Sequence, residues 1–234
     1  MFDKEIIRTL QNLLGADIMK KALIFQGGWD GHEPEEVANI LSEILEEEDF
    51  NVKITDTLTT LEEDNLNAYD LIVPNWTQGT ITKEQLQPLI DAVANGTGLA
   101  GLHGGLGDSF RWETEYQFMV GGQWVAHPGN DGVTYEVHIL DPSHPLTEDM
   151  ENFTVVSEQY YMHVDPAVTV HATTRFPVAD GVHQPNGEVD MPVVWTKKWG
   201  KGKVYYCSLG HVAEIVRMPE VINLMRKGFI WASR

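Results

Sequence analysis

Short apolar runs alternate with amphipathic segments along the first half of the chain. Each run is continuous, as is typical of a strand buried on both faces of a parallel sheet. The runs lie at residues 22–25, 71–74 (where Pro74 is expected to end the strand) and 99–102. Between them, apolar residues recur at helical spacing and predict a helix that begins near Pro34 and another over 82–95. With an alternating edge strand at 52–55, this order predicts a parallel, doubly wound sheet with right-handed crossovers.

The second half of the chain alternates apolar and polar residues, as is typical of strands with one exposed face. The predicted strands lie at 135–140, 153–156, 168–172, 192–196 and 203–207. The last two flank a glycine-containing connection and predict an antiparallel hairpin, so we expect an antiparallel extension of the same sheet. A predicted final helix covers roughly 218–232. Its expected buried face is Val221, Leu224, Met225, Phe229 and Ile230.

The 234 residues are enough to bury a substantial core without disulfides. The first 18 residues carry apolar positions at helical spacing and predict an N-terminal helical extension. We therefore expect residues 19–234 to form one α/β domain that follows this extension.

A histidine boxed by glycines ends one of the buried strands. The spacing Gly-x-His-x-Gly at 101–105 is typical of a nucleophile elbow, a sharp strand-to-helix turn that lifts one side chain above the sheet edge. Glycines leave the room that such a turn requires. The raised residue is His103, and imidazole is a poor covalent nucleophile but a good general base, acid or metal ligand.

Two further histidines, His32 and His211, also follow apolar strands through glycine-containing turns. The carboxyl ends of parallel strands share one sheet edge, so the three histidines are expected to converge there. Such a cluster suits acid–base chemistry on a polyol or carbonyl substrate, or the binding of Zn²⁺ or a similar divalent ion. We favour acid–base chemistry without a cofactor and keep the metal site as the alternative, with ligands His32, His103 and His211.

Other polar and aromatic residues complete the predicted site. Glu158 can serve as a second proton-transfer group, and carboxylate and phenol groups pair well with sugar hydroxyls. His127 precedes Pro128, a position that favours a turn, and it is also a candidate for substrate contact. The predicted catalytic residues are His103, His211 and Glu158. The predicted substrate-binding residues are His32, Trp29, Trp76, Tyr160 and His127.

Composition excludes several classes of function. The formal net charge of −19 argues against binding to nucleic acid or to an anionic membrane. The single cysteine, Cys207, rules out an intramolecular disulfide and a cysteine-based metal site within one chain. No serine or cysteine lies in a sequence typical of a catalytic nucleophile, so we do not expect acyl-enzyme chemistry. The chain shows neither a signal peptide nor an apolar run of about 18 residues, so we expect a cytoplasmic protein.

Several motifs, in this order and spacing, resemble the ThuA-like (trehalose-utilisation) family. They lie at 101–105, 121–128, 141–145, 157–160 and 192–211, and the resemblance covers residues 20 to 234. It implies a flavodoxin-like, three-layer fold of the class I glutamine amidotransferase-like type, with His103 where amidotransferases keep a catalytic cysteine. It also implies a role in carbohydrate metabolism, on trehalose-type disaccharides or their keto derivatives. One departure is Ser157, where the family often has aspartate.

The sequence thus predicts a sugar hydrolase or isomerase without a covalent nucleophile. Its expected partner is a small-molecule carbohydrate, and a homo-oligomer is compatible with the pattern. A metal-dependent hydrolase or isomerase, and a non-catalytic sugar-binding or regulatory module, remain as alternatives.

Overall fold

Eleven β-strands form the framework of residues 19–234, the part of the chain that the computed structural model describes. In chain order they are β1 (Lys20–Gly28), β2 (Phe50–Thr55), β3 (Leu71–Thr77), β4 (Gly98–Leu102), β5 (Gly122–Ala126), β6 (Val133–Ile139), β7 (Phe153–Ser157), β8 (Tyr161–Val164), β9 (Thr169–Phe176), β10 (Val189–Trp199) and β11 (Gly202–Cys207). The α-helices of the same residues are α1 (Pro34–Glu47), α2 (Thr60–Glu63), α3 (Lys83–Asn95), α4 (His103–Gly107), α5 (Thr114–Val120), α6 (Ala213–Val216) and α7 (Pro219–Ala232).

Nine of these strands form one sheet in the order β2-β1-β3-β4-β11-β10-β9-β6-β7. The ladders from β2 to β11 are parallel, and those from β11 to β7 are antiparallel. Strands β5 and β8 pair separately as a two-stranded antiparallel ribbon. The predicted parallel sheet with an antiparallel extension is confirmed, including the hairpin of β10 and β11.

Alternate residues of the central strands face two helical layers. In β1, Ala22 and Ile24 join a core with α1 and α7, whereas Leu23 and Phe25 join a second core with α3 and α5. All four side chains are buried, which explains why the strand reads as a continuous apolar run. The fold is therefore a sheet with a helical layer on each face, as the sequence predicts.

The predicted helices also appear close to their expected bounds. Helix α3 begins after a capping box, in which Thr82 and Gln85 each accept a hydrogen bond from the other's backbone amide. It ends at Gly96, whose φ of 126° favours glycine. Its apolar residues Leu89 and Val93 are fully buried.

Two details of the prediction are wrong. Strand β3 runs through Pro74 to Thr77 instead of ending at the proline. Pro74 lies in the ladder with β1, opposite Phe25, but the ladder with β4 ends at Ile72, so the proline interrupts no ladder on that side. Ile230 is 47% exposed because the buried stripe of α7 passes through Phe229 and leaves the next position outside.

The predicted N-terminal helix of residues 1–18 lies outside the described residues. Within residues 19–234, none of the helices has the length and apolar character that crossing a bilayer would need.

Candidate active site

The glycine-boxed histidine occupies a sharp turn between β4 and α4. Leu102 is still extended, and His103, the first residue of the helix, has a φ of 45°. A non-glycine residue with positive φ is uncommon and typically costs about 1–3 kcal/mol, so such strain is concentrated at functional sites. The predicted elbow is therefore present, with an imidazole at its apex.

Gly104 allows this turn to approach the neighbouring loop closely. A Cβ at this position would lie 2.7 Å from Cε1 of His32 and 3.0 Å from Cγ2 of Thr77. Real Cβ atoms do not approach other heavy atoms to the first of these distances, so one of the two segments would have to move.

We expect Gly104→Ala to displace His32 and to lower catalytic activity by about 10-fold or more, because small misplacements of site groups are costly. Steady-state kinetics on the purified variant tests this. Gly132→Ala is the matched control, since nothing lies within 4 Å of a Cβ there. Equal activity of the two variants would contradict the expectation.

The His103 ring is fixed by contacts on every side. Its Nδ1 lies 2.8 Å from the backbone carbonyl oxygen of Ser208, and its Nε2 lies 3.1 Å from Oε2 of Glu158. The ring stacks on Tyr160 with 3.8 Å between centroids. The Tyr206 hydroxyl donates to the carbonyl of His103 at 3.0 Å, which holds the elbow backbone to β11. Only 1% of His103 is exposed.

Four imidazoles face the carboxylate of Glu158, each through its Nε2. The inner pair, His32 and His103, lies at 4.0 and 3.1 Å from Oε2. The outer pair, His127 and His211, lies at 3.6 Å from Oε1 in both cases. The inner side chains are buried, whereas the outer side chains are 31% and 12% exposed. Glu158 thus connects a buried half of the cluster with a half that solvent reaches.

His32 comes from the loop between β1 and α1. Its Nδ1 lies 2.8 Å from Oγ1 of Thr77, the last residue of β3. Its ring centroid is 4.8 Å from that of His103 and 5.3 Å from that of His211. The half-exposed Trp29 ring meets it edge-on at 4.7 Å. The three histidines expected to converge therefore do so, at the carboxyl edge of the parallel strands.

Burial and the short distances between the groups shift the pKa values of the side chains in the cluster. Burial, followed by the neighbouring His103, lowers the pKa of His32 to about 3. Burial also lowers the pKa of His103 below its usual value. For Glu158, burial acts to raise the pKa, but the contact with His103 and the surrounding imidazoles outweigh it and hold the pKa below its usual range.

Aromatic groups form the wall beside the outer pair. The Trp124 ring lies 5.3 Å from His127 and 5.9 Å from Tyr160, and the Arg111 guanidinium covers it at 4.5 Å. Arg111 Nε in turn lies 2.6 Å from Oδ1 of Asp108, whose pKa burial raises to about 6. The wall therefore combines stacking surface with charged groups.

Trp76, a predicted substrate contact, takes a different position. Its ring packs against the backbone of Gly27 and Gly79, close enough that a Cβ on either glycine would collide with it. It also packs partly against the core that contains α3. Trp76 thus supports the loops around the site, and a substrate role for it stays a prediction.

Sequence reasoning missed Thr77 and Ser208, which orient the inner pair. Thr77 lies at the carboxyl end of a central strand, and that position is the signal that could have identified it. Ser208 acts through its backbone carbonyl, so its side-chain type carries no signal. Trp124 was also missed as a site residue, although it lies within a glycine-rich aromatic segment.

A cavity of about 630 Å³ opens at the carboxyl ends of β1 and β2, against the start of α1. Carboxylates and amides dominate its lining, which includes Gln26, Asp30, Glu33, Asn39 and Asp56. Such a surface offers hydrogen-bond acceptors to hydroxyl groups and repels anions.

A second histidine pair lies away from the cluster. The rings of His144 and His171 are 4.4 Å apart, and Nε2 of His171 lies 2.8 Å from Oγ1 of Thr196. Burial, followed by the charge of His144, lowers the pKa of His171 to about 4. The unfolded chain binds a proton there near pH 6.5, so the folded state loses stability as pH falls from 6.5 towards 4.

We expect His171→Gln to weaken this pH dependence, because glutamine keeps a polar partner for Thr196 but does not titrate. Between pH 6.5 and 4.5 the native chain should lose about 2 kcal/mol more unfolding free energy than the variant. Urea unfolding at both pH values measures the difference. Identical losses in the two proteins would show that His171 titrates normally.

A sequence profile of the family described as ThuA, trehalose utilisation, matches residues 21–232. The sequence has no significant match among curated proteins.

Similar solved structures share the fold. A putative ThuA-like protein from Parabacteroides merdae superposes with a TM-score of 0.74 at 17% identity, over 92% of this chain and 90% of that one. A cytoplasmic protein from Salmonella typhimurium LT2 gives 0.65 at 13% identity, over 92% and 100%. A β-galactosidase from Bacillus circulans sp. alkalophilus gives 0.60 at 13% identity, with 92% of this chain covering 30% of that larger one.

Proposed function

Because the chain belongs to the ThuA trehalose-utilisation family, a membership that supports a related role, we propose that it is an enzyme that processes a disaccharide or keto-sugar at the His–Glu cluster. The observation that carries this proposal is the convergence of four Nε2 atoms on one buried carboxylate. Imidazoles and a carboxylate in mutual reach are suited to moving a proton to and from a hydroxyl or carbonyl oxygen.

The division of the cluster suggests the role of each group. His211 and Glu158 meet on the side that solvent reaches, where a substrate proton can be taken up and returned. His103 contacts the other carboxylate oxygen from the buried side and completes the proposed catalytic set. No serine or cysteine is needed in this scheme, and Cys207 is buried with its pKa raised by burial to about 12.

The surroundings favour a neutral sugar as substrate. Trp29 is half-exposed beside His32 and its ring can contact the apolar side of a sugar ring. His127 is partly exposed and is a second candidate contact, whereas Tyr160 is buried and stacks on His103 and His127. The cavity against the start of α1 is lined by carboxylates outside the cluster, and the whole chain carries a net charge of −19. Electrostatic repulsion therefore disfavours a phosphorylated sugar.

The test is incubation of the purified protein with a panel of disaccharides and keto-sugars, followed by mass spectrometry, with and without added divalent metal. We expect a hydrolysed or isomerised product from a neutral member of the panel and slower conversion of its 6-phosphate. Binding of a disaccharide without product over long incubation would instead favour a sugar-binding or regulatory module.

We propose a cytoplasmic location and a small-molecule carbohydrate partner, with neither nucleic acid nor membrane as a partner, and a homo-oligomer is compatible with it. The acid–base scheme needs no resident cofactor, and a divalent cation is the second candidate for the chemistry at this site.

A further inference from the structure

The hydrogen bond of His103 to the backbone determines which ring nitrogen faces Glu158 as a lone pair. The Ser208 carbonyl only accepts, so the Nδ1 atom 2.8 Å away carries the hydrogen and donates it. In the neutral ring, Nε2 then presents a lone pair to Oε2 of Glu158 at 3.1 Å. Two acceptors at this separation need a proton or a metal ion between them.

His32 shows the same arrangement. Its Nδ1 lies against the Thr77 hydroxyl at 2.8 Å, which leaves Nε2 to face the carboxylate. A histidine that ligates a metal typically donates its other ring nitrogen's hydrogen to a neighbouring acceptor, which sets the tautomer and the ring plane. His103 meets this condition through the Ser208 carbonyl, and His32 meets it when the Thr77 hydroxyl accepts from Nδ1.

The spacing of the three groups suits a single ion. One nitrogen of His32, one of His103 and one oxygen of Glu158 all lie within 4.8 Å of one another, and all three residues are buried. Ligand atoms at about 2.1 Å from a tetrahedral zinc ion are about 3.4 Å apart. The contacts of Oε2 at 3.1 and 4.0 Å lie on either side of that value.

We propose that the inner pair and Glu158 form a binding site for a divalent transition-metal ion of the zinc type. The ligands are Nε2 of His32, Nε2 of His103 and a carboxylate oxygen of Glu158, a set of two imidazoles and one carboxylate. The outer pair lies on the side of Glu158 that solvent reaches, where a substrate oxygen would meet His211. The use of this metal site in catalysis rests on the proposed function. The proposal deepens that function by making His103 a ligand and leaving proton transfer to His211.

Binding can be measured without any substrate. The protein is purified without a metal-affinity column, stripped with a chelator, and titrated with Zn²⁺ against a competing indicator, with Co²⁺ absorption as a second readout. We expect one ion per chain, and a loss of affinity of about 100-fold or more in Glu158→Gln.

A pair of substitutions at Thr77 separates a built site from adventitious binding. Thr77→Val removes the partner of His32 at nearly constant volume and should weaken binding about 10- to 100-fold, whereas Thr77→Ser keeps the hydroxyl and should bind like the native chain. His171→Gln removes a histidine outside the cluster and should leave binding unchanged.

Equal affinity of the native chain, Thr77→Val and Glu158→Gln would overturn the proposal, as would the absence of stoichiometric binding. The metal site and the proposed function can fail separately. Sugar turnover by a protein that binds no metal would overturn the site alone. Metal binding without turnover of any sugar in the panel would overturn the function alone.

Discussion

Replacing Glu158 with glutamine is expected to lower kcat/KM by about 1000-fold or more, within the range for loss of a proton-transfer group. The substitution removes the one carboxylate that all four imidazoles face. It keeps the size of the side chain, and the new amide can donate to Nε2 of His103. We therefore expect the variant to fold, with its melting temperature close to that of the native chain.

The measurement is steady-state kinetics on the sugar that the panel identifies, together with a thermal melt. Glu136→Gln is the matched control, because Glu136 also contacts a histidine, His138 at 3.4 Å, but lies on an exposed part of β6. The control should keep full activity. If Glu158→Gln retained activity within 10-fold of the control, the His–Glu cluster would not be the catalytic centre.

Much of the fold follows from the hydrophobic pattern alone. The period of two in β1 distributes Ala22 and Leu23 to opposite cores, and the 3.6-residue period of α3 buries Leu89 and Val93. These local patterns predict the fold correctly because tertiary packing buries the same residues that the patterns mark as apolar. The path of β3 through Pro74 was not predictable, since the cost of proline depends on how far the neighbouring ladder extends.

The parts of the candidate site that strand order brings together could be predicted from the sequence. Contacts between segments that are distant in the chain could not. His32, His103 and His211 follow parallel strands, so their meeting is a consequence of strand direction. His127 reaches Glu158 from the aromatic segment after α5, and its place before Pro128 favours a simple turn. Only the pairing of β5 with β8 brings that segment to the cluster.

Replacing His103 with asparagine separates the chemical role of this residue from its structural role. The asparagine amide occupies the place of Nδ1 and can donate to the Ser208 carbonyl, and asparagine tolerates the left-handed φ of 45°. The Nε2 contact with Glu158 is lost, together with the stacking of the imidazole ring on Tyr160. We expect a fall in kcat of about 100- to 10,000-fold with little loss of stability.

His103→Ala should lose the same activity and also be destabilised, because it leaves the buried Ser208 carbonyl without a donor, at a cost of about 1–3 kcal/mol. Urea unfolding followed by tryptophan fluorescence compares the two variants. Full activity in His103→Asn alongside an inactive His103→Ala would mean that the imidazole only supports the elbow. If both variants lost activity and only His103→Ala lost stability, the chemistry would be assigned to Nε2 of His103. The strained backbone of the elbow would then serve to direct Nε2 of His103 towards Glu158.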